Sequence, residues 1–410
     1  MTAPHDPYLA LRRPAFRGFM VAMAMVFLAA LVQTTAVQWQ VLQMGQGYLS
    51  LGYVGLAEAL PFLALTLVGG WTADQVDRRL LTLLALLVVL AGGLWLLWLS
   101  VHPPSTPWPF YAVQALSGLG RAFLRPASVA YGTELVPAEE LPSAATWRTT
   151  VFTVSAISGP ALAGLLLALG GPRLTYLTMC LLLLGGLAVI LTLPARPRVR
   201  TGTPLGEGLR EGLRFVFSHQ VILGALTLDL FGVLFGGAIG VLSAFAVEIL
   251  GVGEVGYGLL RAAPSVGAVA ASLWMAHRPP LRRAGATLLA SVALYGLTWI
   301  GFALSQSFLV SLALLAVGGG LDGVSMVIRG QITQTLTPQP LMGRVLSVNS
   351  FFIGSSNELG AFESGLAAQL LGLANSVVFG GCMTLATVGL VAWRMPGLRR
   401  LRGIGDESSG

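Results

Sequence analysis

The sequence predicts an all-α membrane protein with twelve transmembrane helices, arranged as two pseudo-symmetric halves of six. Three observations lead to this prediction. Of the 410 residues, 55% are hydrophobic and only 10% are charged, which is too apolar for a water-soluble fold of this size. Apolar runs long enough to cross a bilayer follow one another along the chain. Many residues of the first half also recur in the second half at a constant offset.

The predicted spans lie between turn-rich, charged breaks. A helix needs about 20 mainly apolar residues to cross a hydrocarbon layer of roughly 30 Å, and the stretch from Gly18 to Ala57 contains no charge. The first apolar run is long and is followed at once by further spans, so we expect it to stay in the membrane and not to be a cleaved signal. We place the spans near residues 17–42, 49–72, 80–101, 108–130, 142–169, 173–193, 220–250, 255–276, 284–305, 308–335, 343–370 and 373–394.

The arginines determine the predicted orientation. All 24 basic residues are arginine, and they form short clusters that fall on alternate sides of the membrane. The positive-inside rule then puts both termini and the long central loop in the cytoplasm, which twelve spans allow and eleven or thirteen do not. The net charge of +7 does not indicate nucleic-acid binding, because these clusters make no continuous basic patch.

The longest polar stretch divides the chain nearly in half. Within it, leucine and phenylalanine residues alternate with charged residues between 205 and 217, which predicts an amphipathic helix along the inner membrane surface. A plain linker is the alternative. The predicted domains are an N-terminal half at 1–193, a cytoplasmic linker at 194–219, a C-terminal half at 220–394 and a cytoplasmic tail at 395–410.

An internal repeat relates the two halves at an offset of 201 residues. This arrangement is typical of transporters whose halves surround a binding site near the bilayer midplane. The repeat is broken where Arg121 of span four corresponds to Asp322 of span ten, so opposite charges stand at matched depth. Among the matched residues, Gly52, Gly118 and Gly159 recur as Gly253, Gly319 and Gly360.

The loop between predicted spans two and three carries a motif. It has a glycine, three further residues, an aspartate and, after a short turn, two arginines. The pattern resembles the signature loop of the major facilitator superfamily, although Gln75 stands where a basic residue is usual and Asp77 where glycine is frequent. The residues of the motif are Gly70, Asp74, Arg78 and Arg79.

This resemblance implies an inner gate. We expect Gly70 to permit the close approach of two helices, and Asp74 to face the positive end of a neighbouring helix or an arginine. By the resemblance, its partner lies at the start of span eleven near Arg344, and their contact would hold the outward-open state. A solvated turn is the alternative.

Further segments narrow the resemblance to the third drug:proton-antiporter branch, which includes exporters of macrolides and of enterobactin-type siderophores. The resemblance covers nearly the full length and implies the major facilitator fold, with export of a small organic molecule in exchange for protons. Members often have an acidic residue in span one, where this chain has Ala30. The segments lie at residues 11–17, 37–41, 137–141, 159–164 and 343–345.

Ionisable residues inside the spans are candidates for proton coupling, since a charge costs about 2.5–3.5 kcal/mol or more at the bilayer centre. Glu58 lies about 15 Å into span two, Asp229 lies at comparable depth in span seven, and Glu358 lies in span eleven. We expect Glu58 and Glu358 to lie close enough that one of them holds a proton. By the resemblance, spans four and ten line the cavity, so Arg121 and Asp322 would face each other across it as an ion pair that substrate or a proton breaks. Structural hydrogen bonds and two separate local salt bridges are the alternatives.

Span one supplies polar side chains for substrate binding in a charge-free helix. Such residues suit hydrogen bonding and stacking with an uncharged or amphipathic ligand, although packing against other polar helices would explain them nearly as well. The resemblance adds residues of spans four, seven and ten to the cavity. The substrate-cavity candidates are Gln33, Thr34, Gln38, Trp39, Arg121, Asp229 and Asp322.

The sequence contains no catalytic or metal-binding arrangement. Its four histidines lie in tails or loops without metal-ligand spacing, and the absence of lysine excludes a P-loop. We therefore expect no enzyme, and no cofactor beyond the proton gradient. We expect a multi-pass monomer of the inner (plasma) membrane whose partners are a small-molecule substrate and the lipid bilayer. A facilitative or importing carrier of a nutrient or lipid, and a non-transporting scaffold or sensor, are the alternatives.

Overall fold

The computed structural model describes residues 8–195, 205–277 and 283–401, and the regular structure in these ranges is entirely helical. Short helical turns at Ala10–Arg12, Ala138–Glu140, Ala238–Val241, Leu242–Ala244, Phe245–Ile249, Gln339–Leu341 and Pro396–Arg400 adjoin the longer helices. The longer helices are α1 (Pro14–Gln43), α2 (Tyr48–Gln75), α3 (Arg78–Val101), α4 (Trp108–Glu134), α5 (Leu141–Thr192), α6 (Leu205–Ser218), α7 (Gln220–Gly236), α8 (Glu254–Ala276), α9 (Ala284–Leu304), α10 (Phe308–Leu336), α11 (Met342–Leu371) and α12 (Leu373–Arg394).

Nine helical segments in the described ranges are long and apolar enough to cross a membrane. One of them contains the whole of α5, whose 52 residues would extend about 78 Å as a straight helix. Its backbone leaves helical geometry at Gly170 and at Gly171, where φ is +64°, so the break lies between predicted spans five and six. Two further helices, α4 and α11, have 27 and 30 residues, which is long enough to cross, but their composition is more polar.

Predicted span seven is not one regular helix. The helix α7 ends at Gly236, and the chain continues through the 3-10 turn Ala238–Val241 to a short π-helix at Phe245–Ile249. Two adjacent glycines, Gly236 and Gly237, weaken helical structure at this point. A side chain at Gly236 would also collide, because an added Cβ would lie 2.8 Å from Tyr295 Cε1. The span predicted at 220–250 matches one apolar segment, Gln220–Ile249, but hydropathy does not detect the break inside it.

The described chain divides into two compact units. The first contains residues 8–40 and 57–195, and the second contains residues 41–56, 205–277 and 283–401. The segment 41–56 contacts the rest of the second unit through the Tyr48 hydroxyl, which donates to Glu248 Oε2 at 2.5 Å, and through Gly52, which packs against Phe362 and Gly365. The linker forms the helix α6 at Leu205–Ser218, and its Val216 is buried in the apolar core of the second unit.

Two glycines related by the repeat bring equivalent helix pairs into backbone contact. In the first unit, a Cβ added to Gly118 of α4 would lie 2.2 Å from the Glu58 carbonyl oxygen of α2. In the second unit, a Cβ added to Gly319 of α10 would lie 2.0 Å from the Pro264 carbonyl oxygen of α8. No side chain fits at either position, and this close packing places Glu58 directly beside α4.

Candidate functional site

The first unit contains a buried hydrogen-bond network around Glu58. The carboxylate accepts from the Arg121 guanidinium and from Gln114 Nε2 at 3.0 Å. Gln33 Nε2 of α1 donates to Gln114 Oε1 at 2.9 Å and to Ser117 Oγ at 2.7 Å. Three helices thus share one connected polar network, in which Glu58 is only 4% exposed.

This network opens into a cleft with about 350 Å³ of empty space, part of it open to solvent. Its walls combine polar groups with aliphatic side chains, as small-molecule sites usually do. The Arg121 guanidinium also lies over the Phe62 ring, with Cζ 5.9 Å from the ring centroid. The lining residues are Val26, Ala30, Gln33, Thr34, Glu58, Val89, Ser117, Arg121 and Leu124.

The second unit contains a different cluster, in which one arginine serves two carboxylates. Arg329 of α10 donates through Nη1 to Asp229 Oδ1 of α7, and its Nη2 lies 3.7 Å from Asp322 Oδ1 on α10. The Asp229 side chain is 5% exposed and that of Asp322 is 45% exposed. With all three groups ionised this Asp–Arg–Asp triad carries a net charge of −1, and its more loosely held carboxylate is accessible.

A second cleft adjoins the triad, with about 220 Å³ of empty space. Tyr295 and Ser325 line it together with the three charged residues. The Ser325 hydroxyl is buried and has no hydrogen-bond partner among the described residues. A buried hydroxyl without a partner is costly, so this cleft has hydrogen-bonding capacity for a water molecule or a ligand.

The substrate candidates of span one take two different positions. Gln33 and Thr34 line the first cleft, and the Thr34 hydroxyl also donates to the Ala30 carbonyl oxygen of its own helix at 2.9 Å. Gln38 and Trp39 lie farther along α1 and are buried. The neighbouring Gln40 accepts from the Tyr176 hydroxyl, so this part of α1 packs against α5.

Each predicted coupling residue that the structure describes has a partner inside its own unit. Arg121 pairs with Glu58, and Asp322 lies beside Arg329, which matches the alternative of two local salt bridges. Glu358 lies on α11, but its side chain is outside the described part of the chain.

The motif loop forms local contacts at the ends of α2 and α3. Asp74 Oδ1 lies 3.5 Å from Arg78 Nη2, and Arg78 Nη1 donates to Glu134 at 2.9 Å. Arg79 Nε donates to the Ile190 carbonyl oxygen at 3.1 Å. In the second unit, Arg344 pairs with Glu211 of α6.

The close helix approach predicted at Gly70 occurs one residue earlier. A Cβ added to Gly70 meets no described atom within 4 Å, whereas one added to Gly69 would lie 2.1 Å from the Ala122 carbonyl oxygen of α4. One residue turns a helix by about 100°. The motif pattern therefore located the contact but not the face that makes it.

Sequence analysis did not single out Arg329, Gln114 or Ser117. Arg329 could have been found, because it lies inside predicted span ten and an arginine there has the same membrane cost as the aspartates. Gln114 and Ser117 are ordinary polar residues whose role depends on Glu58 and Gln33 lying opposite them. Only the packing of the helices shows that.

The chain matches, over residues 5–403, the family described as transmembrane secretion effector. It is 28% identical over 389 residues to the multidrug efflux pump Tap of Mycolicibacterium fortuitum, covering 90% of this chain and 93% of that protein. It is also 28% identical over 396 residues to the enterobactin exporter EntS of Citrobacter koseri, covering 95% and 94%.

Solved transporter structures share the fold. A bacterial homologue of the human lysosomal transporter Spinster, in an inward-facing and occupied conformation, matches with a TM-score of 0.74 at 15% identity, covering 97% of this chain and 99% of that one. A D-xylose–proton symporter matches with a TM-score of 0.70 at 15% identity, covering 94% and 98%.

Proposed function

The chain belongs to the transmembrane secretion effector family of the major facilitator superfamily, and from this premise we propose that it exports a small organic molecule by proton antiport. Relatives at 28% identity are named for drug and siderophore efflux, which supports export. The observation that carries the antiport proposal is the Asp–Arg–Asp triad, which places two carboxylates around a single guanidinium in membrane-spanning helices.

The family and the apolar helices make this a multi-pass protein of the inner membrane. We extend this to twelve spans with both termini in the cytoplasm, in halves at 1–193 and 220–394. The arginine clusters support this orientation, and the interruption of α5 together with the lengths of α4 and α11 supports the count. We further propose a monomer that needs no cofactor.

The triad has a simple route to proton coupling. Arg329 neutralises one carboxylate, so a proton on the other makes the cluster neutral, and loss of that proton restores a charge of −1. Asp322 suits proton exchange because its contact with Arg329 is longer and its side chain is more exposed than that of Asp229. Moving one charge through 100 mV supplies about 2.3 kcal/mol, and the charge state would bias two conformations of the transporter.

The proposal is tested with purified protein in lipid vesicles under an imposed pH gradient. A cationic dye, rhodamine 6G, and an anionic dye, fluorescein, serve as transport probes, and vesicle-trapped pyranine reports proton movement. Wild type should move at least one dye against the concentration gradient of that dye. Protons should cross the vesicle membrane in the opposite direction. Asp322→Asn should reduce pH-driven transport to the leak rate, while dye exchange without a gradient continues.

Glu139→Gln is the control, because Glu139 is an exposed carboxylate outside the triad. It should transport as wild type does. If pH-driven transport persists in both Asp322→Asn and Asp229→Asn, the triad is not the coupling site. If wild type moves neither dye and no protons, antiport of such molecules is wrong.

A further inference from the structure

The first unit carries an excess of positive charge within its predicted spans. Apart from Arg17 and Arg173 at the ends of spans, three arginines lie there, Arg121 and Arg125 on α4 and Arg148 on α5, against the single carboxylate of Glu58. With all four groups ionised the net charge is +2. Arg121 pairs with Glu58, whereas Arg125 and Arg148 have no ion-pair partner among the described residues.

The three guanidinium groups belong to one region. Arg121 and Arg125 are four residues apart, so they lie on the same face of α4. Arg125 precedes the end of α4 at Glu134 by nine residues, about 14 Å, and Arg148 follows the start of α5 at Leu141 by seven residues, about 11 Å. The two arginines therefore lie at similar height on consecutive helices, and Arg125 is repelled electrostatically by both of the others.

Lipid is a poor environment for these arginines. Arg125 is exposed and Arg148 is half-buried, and both lie about 8–9 Å inside a predicted span, where an unpaired arginine facing hydrocarbon is unfavourable. Such residues almost always face the interior of a helix bundle or a water-filled cavity. On the same face of α4, Arg121 lines the cleft that contains Gln33 and Glu58, so we name Arg121, Arg125 and Arg148 the arginine bay.

We propose that the arginine bay binds an organic anion, so that the exported molecule carries a carboxylate or phenolate group. Guanidinium groups bind such oxygens through paired, charge-assisted hydrogen bonds. The aliphatic residues Val26, Val89 and Leu124 of the adjoining cleft would contact an apolar body attached to that group. This inference rests on the proposed export function and specifies the chemistry of its substrate.

Equilibrium binding tests the proposal without any gradient. Fluorescein carries a phenolate on its xanthene ring and a carboxylate on the attached phenyl ring, and rhodamine 6G carries a positive charge on its xanthene ring. Fluorescence anisotropy with the purified full-length protein gives the Kd for each dye. The informative variants are Arg125→Gln and Arg148→Gln, with Arg125→Lys to retain the charge.

Wild type should bind fluorescein more tightly than rhodamine 6G. Each glutamine variant should weaken fluorescein binding about tenfold, the effect expected from losing one charge-assisted hydrogen bond, and Arg125→Lys should recover much of the loss. Arg173→Gln is the matched control, because Arg173 is exposed and lies in α5 beyond the break. Thermal unfolding of every variant shows whether it is folded.

Three results would overturn the proposal: no binding of fluorescein by wild type, unchanged binding in folded glutamine variants, or tighter binding of rhodamine 6G. Displacement of fluorescein by phosphatidylglycerol but not by phosphatidylcholine would assign the bay to an anionic lipid instead. The outcome is separable from that of the antiport test. Transport of rhodamine 6G alone would refute the bay and leave antiport intact, whereas arginine-dependent fluorescein binding without pH-driven transport would do the reverse.

Discussion

Inside the spans of the first unit the carboxylate of Glu58 accompanies the three arginines of the arginine bay, whereas in the second unit Asp229 and Asp322 lie around Arg329. Glu58 also has a neutral partner, Gln114, in addition to Arg121, while Asp229 depends on Arg329. The exposures differ in the same way, since the Arg121 side chain is 41% exposed and that of Arg329 is 12% exposed. The first unit therefore exposes the Arg121 guanidinium at its cleft. The second unit buries the Arg329 guanidinium, which two aspartates share.

The packing of the two units diverged much less than their charges. Gly118 and Gly319 are equivalent in the repeat, and each brings its helix against the backbone of another. At the equivalent pair Arg121 and Asp322, by contrast, the sign of the charge is reversed. The repeat thus preserves this helix contact in both units, while the charge at the equivalent pair differs.

Removal of the central arginine should produce the largest difference between the units. Arg329→Met leaves two carboxylates without their counter-ion, and breaking a buried ion pair costs about 3–5 kcal/mol. Arg121→Met should cost less, about 1–2 kcal/mol, because Glu58 retains its bond to Gln114. Chemical unfolding in mixed micelles measures both free energies.

A double variant controls for simple loss of packing. In Asp229→Asn/Arg329→Met the buried pair is neutralised together, so it should be more stable than Arg329→Met alone. Equal destabilisation by Arg329→Met and Arg121→Met would show that the two clusters are energetically alike, contrary to the comparison.

The equivalent glycines should respond alike in the two units. Gly118→Ala and Gly319→Ala each force a Cβ against a backbone carbonyl oxygen, and such overpacking costs about 1–3 kcal/mol. Gly70→Ala is the control, since its added Cβ meets no described atom and alanine favours a helix by up to about 1 kcal/mol. The free energies of unfolding of the three variants, measured under one condition, test this prediction. A neutral effect at only one of the two equivalent glycines would mean that the repeat does not preserve this helix contact.

Different physical signals determined how much of the fold and of the charged clusters could be predicted from the sequence. Hydropathy predicts where helices cross because lipid imposes the same requirement on every span, and the repeat identified Gly118 and Gly319 through their equivalence. The cost of charge in lipid pointed to Glu58, Asp229 and Asp322. Their partners are separated from them by many residues, so the pairing depends on helix rotation and register.

The irregular parts of the structure were harder to predict from the sequence. The apolar run continues through Gly236, so hydropathy could not detect the end of α7. Gly69 and Gly70 are adjacent in the sequence, so a hydropathy pattern cannot tell which of them makes the close helix contact. The Arg344 pairing with α6 likewise depends on a linker helix whose position the sequence does not specify.

The smallest expected difference concerns ion pairs at the ends of the helices. Glu211 and Arg344 are 53% and 40% exposed, whereas Glu134 and Arg78 are 24% and 22% exposed. Exposed pairs contribute about 0–1 kcal/mol because solvent screens them and side-chain ordering opposes them. Glu211→Gln should therefore lower the free energy of unfolding by less than about 0.5 kcal/mol, and Glu134→Gln by somewhat more. Raising the salt concentration should diminish the Glu211 effect first. An effect of Glu211→Gln larger than that of Glu134→Gln would show that α6 is held mainly by its ion pair with Arg344, and not by the burial of Val216 in the core of the second unit.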